Sequence, residues 1–376
     1  MSFPLRAGIV GGGAGAFIGA VHRIAAQLDS KAQVVAGAMS SDPQRAQTSA
    51  DDWHLARSYA SYETMAEAEA ERQDGIDFVM ITTPNSLHAP VAMAFLQAGI
   101  HVICDKPLAD NLAQAERIAA AVENSGKLFA LTQTYTGYPM VRAAREFVQS
   151  GRLGTLRKVQ VEYNQDWLKD PLETLGNKQA VWRTDPARAG ISCCVADIGT
   201  HAQNLLEYVT GSNISAVCAE LSSFVAGREL DDDASMLLRL DDGARGTLQC
   251  SQIACGEENN LSLRIYGTDA GLEWQQQEPN TLLVKLAGQP WQRWRAGMDY
   301  TGTMATAATR TPPGHPEGYL ESFANVYVDF IDDVARVAAG GTPLENYPGI
   351  AEGLRSMKFV QAAVNSSAQG AVWVDV

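Results

Sequence analysis

An α/β plus α+β protein of two domains is predicted: an N-terminal doubly wound parallel sheet, then an open-faced mixed or antiparallel β-sheet domain. Three observations predict it. The first third of the chain alternates strand-length apolar runs with amphipathic helical stretches, a glycine cluster joins the first run to the first helix, and beyond about residue 132 strand-like runs follow one another directly. The chain's 376 residues exceed one average domain, and 46% apolar residues can fill two cores. The boundary is expected between residues 131 and 132, giving units 1–131 and 132–376.

The first unit reads in order. Apolar runs fall at 5–10, 34–39, 78–82, 101–104 and 128–131, with helical periodicity between them. Asp42 before Pro43 has the character of a helix N-cap with proline at the first helical position, and Gly99 closes the helix before the fourth run. Strands that are apolar on both faces, with helices between them, imply a parallel sheet covered on both sides. Ligands of such sheets bind beyond the strands' carboxyl ends. In the second unit the runs "LRKVQVEYNQDWL", "ISAVCAELSSFV", "ASMLLRL", "GTLQCSQIA" and "LSLRIYGTDAGLEWQ" are separated by turn residues such as "DDGA". Helices are expected at 139–150, 195–210, 319–339 and 347–366, and an irregular loop over 296–318.

Charge narrows the partners. A net charge of -14, from 29 basic and 43 acidic residues with no basic block, excludes nucleic acid and anionic membranes as expected partners and leaves small molecules. No stretch reaches ~18 uninterrupted apolar residues and no signal-peptide pattern opens the chain, so a soluble, cytoplasmic protein is expected. The six cysteines form no CxxC pair and no metal spacing; reduced thiols and no metal are expected.

The cluster "GIVGGGAGAFIGAVHR" follows a strand and opens a helix. Gly11 and Gly13 fit the first two positions of a dinucleotide fingerprint and Ala16 the third, with Ala14 and Phe17 completing the turn and the helix start. At the end of the second run an NAD enzyme usually carries an acid. Here Met39 is followed by Ser40 and Ser41, with Arg45 one helical turn on, so NADP is favoured over NAD; Asp42 is the alternative acid, although its place before Pro43 suits an N-cap. "CDKPLA" ends the fourth run, and Pro107 restrains the backbone that carries Lys106 at the sheet's carboxyl edge. In "DIGTH", Asp197 and His201 stand four residues apart, on one face if helical, an arrangement suited to proton transfer near neutral pH.

Together with "TTPNSLHAPVAMAFLQAGIHVICDKPLA", "YPMVRAAREFVQSGRLG" and "WRTDPARAG", these stretches resemble the Gfo/Idh/MocA oxidoreductases over most of the chain. The resemblance implies a Rossmann domain and an open-faced sheet domain for substrate binding and oligomerisation. It matches Lys106 to the family's EKP lysine and Asp197 and His201 to its DxxxH pair, with Asp105 in place of the usual glutamate. Thr83, Pro84, Asn85, His88 and Asp105 join the cofactor set, with one or both of Asn85 and His88 expected to be structural around the nicotinamide rather than catalytic. The implied chemistry is hydride transfer between nicotinamide and a hydroxyl carbon of a sugar, sugar acid or polyol: His201 takes the hydroxyl proton, Lys106 stabilises the alkoxide and Asp197 orients both. Two alternatives stand beside it, an NAD-dependent glycoside hydrolase using transient oxidation and a non-catalytic cofactor-binding sensor. Tyr135, Gln165, Trp167, Trp182, Arg183 and His315 are expected to line the substrate pocket, with Asp185 a competing partner for Arg183. A homodimer or homotetramer is expected, because exposed sheet faces find partners.

Overall fold

In the computed structural model, which describes residues 4–376, the chain forms two compact units. The first gathers the described residues up to Gly137 together with Tyr319–Leu354; the second comprises Tyr138–Gly318 and Arg355–Val376. A single boundary at 131/132 does not anticipate that return to the first unit.

The first unit runs β1 (Leu5–Gly11), α1 (Phe17–Gln27), β2 (Ala32–Ala38), α2 (Pro43–Asp52), β3 (Arg57–Ser58), α3 (Tyr62–Glu71), β4 (Phe78–Thr82), α4 (His88–Gln97), β5 (His101–Cys104), α5 (Leu112–Ser125) and β6 (Phe129–Leu131). All pairs are parallel, in the order β3-β2-β1-β4-β5-β6. β4 and β5 are buried along their whole length, as strands covered on both faces must be. Asp42 caps α2 by accepting the Arg45 N–H at 2.8 Å, Ser61 and Asn111 cap α3 and α5, and Gly126 ends α5 in the left-handed conformation. The helix Tyr319–Ala338 completes the core, packing Phe323, Tyr327 and Phe330 among Ile9, Phe78, Met80 and Ile103.

The second unit contains α6 (Pro139–Gln149), β7 (Leu156–Asn164), α7 (Lys178–Arg183), α8 (Pro186–Ala189), α9 (Thr200–Thr210), β8 (Ile214–Ser222), β9 (Asp233–Leu240), β10 (Arg245–Ser251), β11 (Asn260–Gly267), β12 (Ala270–Gln275), β13 (Thr281–Leu286), β14 (Gln292–Arg295) and α10 (Thr303–Ala307). After α11 (Tyr319–Ala338), α12 (Ile350–Ala368) leads back to it, and β15 (Val374–Asp375) closes it. Nine strands form one sheet, β14-β13-β12-β11-β7-β10-β9-β8-β15, antiparallel except for β7 beside β10. β9 shows the two-faced character: Ala234, Met236, Leu238 and Leu240 are buried, whereas Ser235, Leu237 and Arg239 are exposed.

Three local expectations change. The stretch 296–318 is not wholly irregular, because Glu146 of α6 accepts the N–H groups of Thr303 and Met304 at 3.1 and 2.9 Å and so caps α10 from outside the segment. The helix expected from 347 starts at Ile350, because the Pro348 carbonyl is engaged at the sheet, accepting the Leu131 N–H at 2.7 Å. The helix expected over 195–210 opens with a π-helical turn, Val195–Gly199. Among the described residues no helix is long and apolar enough to cross a membrane.

Candidate active site

The first unit supplies a dinucleotide cradle. β1 ends at Gly11, and Gly11 and Gly12 both take positive φ, 83° and 71°. A Cβ on Gly11 would meet Thr82 O at 2.8 Å, and one on Gly13 would meet Met39 O at 2.7 Å, so side chains here would fill the turn. The closest approach of helix to turn involves Gly19, whose Cβ would lie 2.3 Å from Gly12 Cα. Neither Gly12 nor Gly19 is picked out by the fingerprint spacing; Gly19 lies a turn beyond Ala16. Ala16 caps α1 without a side-chain hydrogen bond and Phe17 is exposed, so the first amide groups of α1 are available to a pyrophosphate. Ala14 N–H donates to Ser49 Oγ at 3.0 Å, which ties the turn to α2. Ser41 and Arg45 are exposed just past β2 and Ser40 is half-buried there, while the Asp42 carboxylate is engaged as the α2 cap.

At the far edge of the same sheet, the segments after β4, β5 and β6 are cross-braced. The buried His88 ring lies between two carbonyls, Nδ1 at 2.7 Å from Pro107 O and Nε2 at 2.9 Å from Thr83 O, joining the "TPN" turn to the "DKP" corner. Burial pushes His88 below the ordinary imidazole range, against the pull of Asp105. Asp105 N–H donates to Ile81 O at 2.9 Å, and Asp105 Oδ1 accepts from Thr132 Oγ1 at 3.0 Å. Burial raises the Asp105 carboxyl, but His22, Lys106 and His88 outweigh it and hold it at about 2, so the carboxylate beside Lys106 is ionised. Asn85 is buried at the start of a single 3-10 turn after Pro84. Thr83 Oγ1, Thr134 Oγ1 and both amide atoms of Gln133 are buried without a hydrogen-bonding protein partner. These groups follow strand ends of a parallel sheet, and a ligand offering both donors and acceptors, as a nicotinamide riboside does, would satisfy them. Cradle and orphaned groups together fit a nicotinamide dinucleotide. Gln133 was not legible in the sequence, because nothing in "LTQTYTG" marks one glutamine as buried.

The second unit holds the other candidate groups. Asp197 sits in the π-turn, a geometry frequent at functional sites, and His201 is the second residue of α9, buried, its ring 6.3 Å from that of Tyr163. Asp197 Oδ2 accepts from Gln252 Nε2 at 2.9 Å and lies 3.4 Å from Arg183 Nε. Asp231 anchors the start of the turn, its carboxylate accepting the Cys193 and Val195 N–H groups, both at 2.9 Å; burial raises its pKa and these bonds oppose the rise. Gln252 and Asp231 are further residues that sequence reasoning missed. Each is distant along the chain from Asp197, and only strand pairing brings them near.

Arg183 has its partner within the protein. Besides Asp197, its guanidinium donates to Gln179 and lies 4.2 Å from the Trp182 ring and 5.7 Å from the Trp167 ring. Asp185, the expected competitor, caps α8 instead, accepting the Ala187 N–H at 3.0 Å. The structure thus gathers Asp197, Arg183, Trp167, Trp182 and Gln252. Gln165 donates to Asn259 Oδ1 at 2.6 Å, which also accepts from Tyr163 Oη at 2.8 Å. His315 is not among this group: it is exposed on a turn, Nδ1 3.2 Å from Pro312 O. Tyr135, buried in a 3-10 turn, belongs to the first unit and not the second.

Comparison with known proteins agrees with both halves. Residues 5–133 match the oxidoreductase family with NAD-binding Rossmann fold, and residues 141–273 match the GFO/IDH/MocA C-terminal domain. The uncharacterized oxidoreductase YfiI of Bacillus subtilis is 35% identical over all of this chain and 98% of its own. The levoglucosan dehydrogenase of Pseudarthrobacter phenanthrenivorans is 28% identical over 80% of each chain. The crystal structure of an inositol dehydrogenase homolog from Azotobacter vinelandii, complexed with NADH and myo-inositol, superposes with TM-score 0.90 at 33% identity, covering 100% of this chain and 98% of that one. With a glycine cradle built for a dinucleotide, family matches in both units and a relative 35% identical over the whole chain, the chain belongs to the Gfo/Idh/MocA family of NAD-binding oxidoreductases.

Proposed function

We propose that this oxidoreductase transfers hydride between a nicotinamide cofactor and a hydroxyl-bearing carbon of a sugar or polyol, with inositol-like substrates first in preference. The observation that carries the reading is the Lys106 corner: an ammonium beside an ionised carboxylate, on a braced turn at the carboxyl edge of the sheet that carries the dinucleotide cradle. A nicotinamide held in the glycine cradle would supply the hydride acceptor for oxidation of the carbinol carbon. His201 removes the hydroxyl proton, Lys106 stabilises the alkoxide as it forms, and Asp197, held by Gln252 and Arg183, orients the imidazole and the substrate. The order reverses for reduction. Two relatives with named substrates, an inositol dehydrogenase homolog complexed with myo-inositol and a levoglucosan dehydrogenase, support a polyhydroxylated substrate.

The pairing of Arg183 with Asp197 favours a neutral polyol over a sugar acid, because its charge is already compensated. Trp167, Trp182 and Gln165 are proposed to contact the sugar, with Tyr135 and His315 as further lining groups. NADP is proposed as the preferred cofactor, supported by Ser40, Ser41 and Arg45 and by the engagement of Asp42 as a cap. The solved relative holding NADH supports NAD as the second reading. The exposed face of the nine-stranded sheet supports a homodimer or homotetramer.

The test is a panel of inositols, anhydrosugars, aldoses and sugar acids, read at the nicotinamide absorbance band with NAD and with NADP. Turnover of a neutral polyol, lowered at least about a hundredfold in Lys106→Ala and His201→Ala with cofactor affinity retained, is expected. Turnover confined to sugar acids, or undiminished in either variant, refutes the reading; tighter binding of NAD than of NADP refutes the cofactor preference.

A further inference from the structure

Behind the Lys106 corner lies a buried polar chain for which the chemistry above has no role. His22, on α1 eleven residues past Gly11, is 0% exposed. Its Nδ1 is 2.6 Å from the hydroxyl of Tyr327, itself 0% exposed, on α11. Its Nε2 makes no hydrogen bond, and the carboxylate it faces is that of Asp105, with Oδ1 at 3.7 Å. Asp105 Oδ1 also accepts the Thr132 hydroxyl, and the next residue is Lys106. All five residues belong to the first unit.

The chemistry of the chain is directional. A carboxylate can only accept, so the 3.7 Å approach of Nε2 to Asp105 Oδ1 suits an imidazole that carries its N–H on that side. Tyr327 retains its phenolic proton, since burial and then Asp105 push it well above the usual tyrosine range. Its hydroxyl therefore donates to Nδ1 and selects that tautomer. The phenol and the carboxylate thus face opposite nitrogens of one imidazole. Such a chain is a poor way to gain stability, because burying polar groups costs more than an apolar core of the same shape. The helix that carries Tyr327 is also anchored to the β6 loop, Ser322 Oγ donating to Thr134 O at 2.6 Å and Asn325 Nδ2 to Gly137 O at 2.8 Å, so the phenol stands on a braced support.

We propose that His22 is a positioning residue for the reaction: with Tyr327 behind it, it orients the Asp105 carboxylate and through it the ammonium of Lys106. This rests on the role given to Lys106 above. It assigns a reaction-linked role to a side chain that touches neither cofactor nor substrate, on the same helix that the dinucleotide turn opens into.

Two substitutions divide the imidazole in half. Asparagine retains an acceptor near the position of Nδ1, for Tyr327, and loses the donor to Asp105; glutamine retains an N–H near the position of Nε2 and loses the acceptor. Turnover on the best polyol of the panel should fall about tenfold or more in His22→Asn and stay within about threefold in His22→Gln, as expected when a reacting group is displaced by a fraction of an ångström. NADH affinity, read by fluorescence titration, should stay within about twofold in both. Tyr327→Phe should shift the His22 ring nitrogens, read by nitrogen-15 NMR, away from the Nε2–H signature of the unmutated protein. Equal turnover in the asparagine and glutamine variants, losses that merely follow their melting temperatures, or an Nδ1–H signature in the unmutated protein would each overturn the proposal. Lys106→Ala separates the two levels. If it loses turnover while the asparagine and glutamine variants stay equal, only the role of His22 falls; if it keeps full turnover, the role of Lys106 falls and that of His22 with it.

Discussion

Replacing Gly19 by alanine places a methyl where the backbone of the dinucleotide turn already runs. The added Cβ would stand 2.3 Å from Gly12 Cα, 2.7 Å from Gly12 O and 2.9 Å from Gly12 C. All three are backbone atoms, so no side-chain rotation relieves the clash. Carbon–carbon contact becomes favourable only near about 3.5 Å, so α1 and the turn must part by roughly 1 Å. α1 buries Val21, His22, Ala25 and Ala26, and moving it loosens that packing as well; overpacking of this kind costs about 1–3 kcal/mol. The same displacement carries the Gly12 and Gly13 amides away from a pyrophosphate, and a loss of ten- to a hundredfold in NADH affinity, about 1.4–2.8 kcal/mol, is expected. Gly15→Ala is the control. Gly15 has φ 85° but no atom within 4 Å of its Cβ position, so alanine there meets only backbone strain, about 1–2 kcal/mol, with no displacement of the helix. Urea unfolding and NADH fluorescence titration on both variants decide the matter. A Gly19→Ala protein with the unmutated urea midpoint and affinity within twofold refutes the close-packing argument, as does a greater loss of affinity in Gly15→Ala.

Three more outcomes follow from particular contacts. Gln252→Leu removes the donor to Asp197 and should lower kcat about tenfold with NADH affinity unchanged; unchanged kcat would show that Asp197 does not depend on it. Burial, with Lys127 adding to it, lowers His101 from 6.5 to about 4, and its Nδ1 accepts the Leu128 N–H at 2.9 Å. The unfolded chain therefore takes up a proton below 6.5 that the folded protein resists until about 4, so stability falls as pH falls through that window; relative to His101→Asn, the unmutated protein should lose about 2 kcal/mol between pH 7.5 and 5 in urea titrations, and parallel pH profiles would refute this. Arg57→Met leaves the buried Glu69 without the guanidinium bound at 2.6 and 2.9 Å and should cost about 3–5 kcal/mol at neutral pH, checked by urea midpoint; a loss under about 1 kcal/mol would mean that Tyr59 and the Ile76 N–H suffice.

What the sequence determined by itself was local or periodic. The apolar runs of the first unit could become only a covered parallel sheet, since strands buried on both faces need helices on both sides, and the strand-to-helix glycine cluster marked the dinucleotide turn because its signal lies within nine residues. The Asp42 cap was legible for the same reason: the acid and the amide it serves are three residues apart. Tertiary structure decided everything that depends on residues far apart in the chain. The core contribution of α11 to the first unit, the hold of Gln252 and Asp231 on the π-turn, the pairing of Arg183 with Asp197 in place of Asp185, and the Tyr327–His22–Asp105 chain join positions far apart in sequence, His22 and Tyr327 by 305 residues, and no periodicity or propensity encodes such pairs. Gly19 belongs with them. A glycine in a helix reads as a cost in propensity, and only the course of the turn across α1 explains why no larger residue fits.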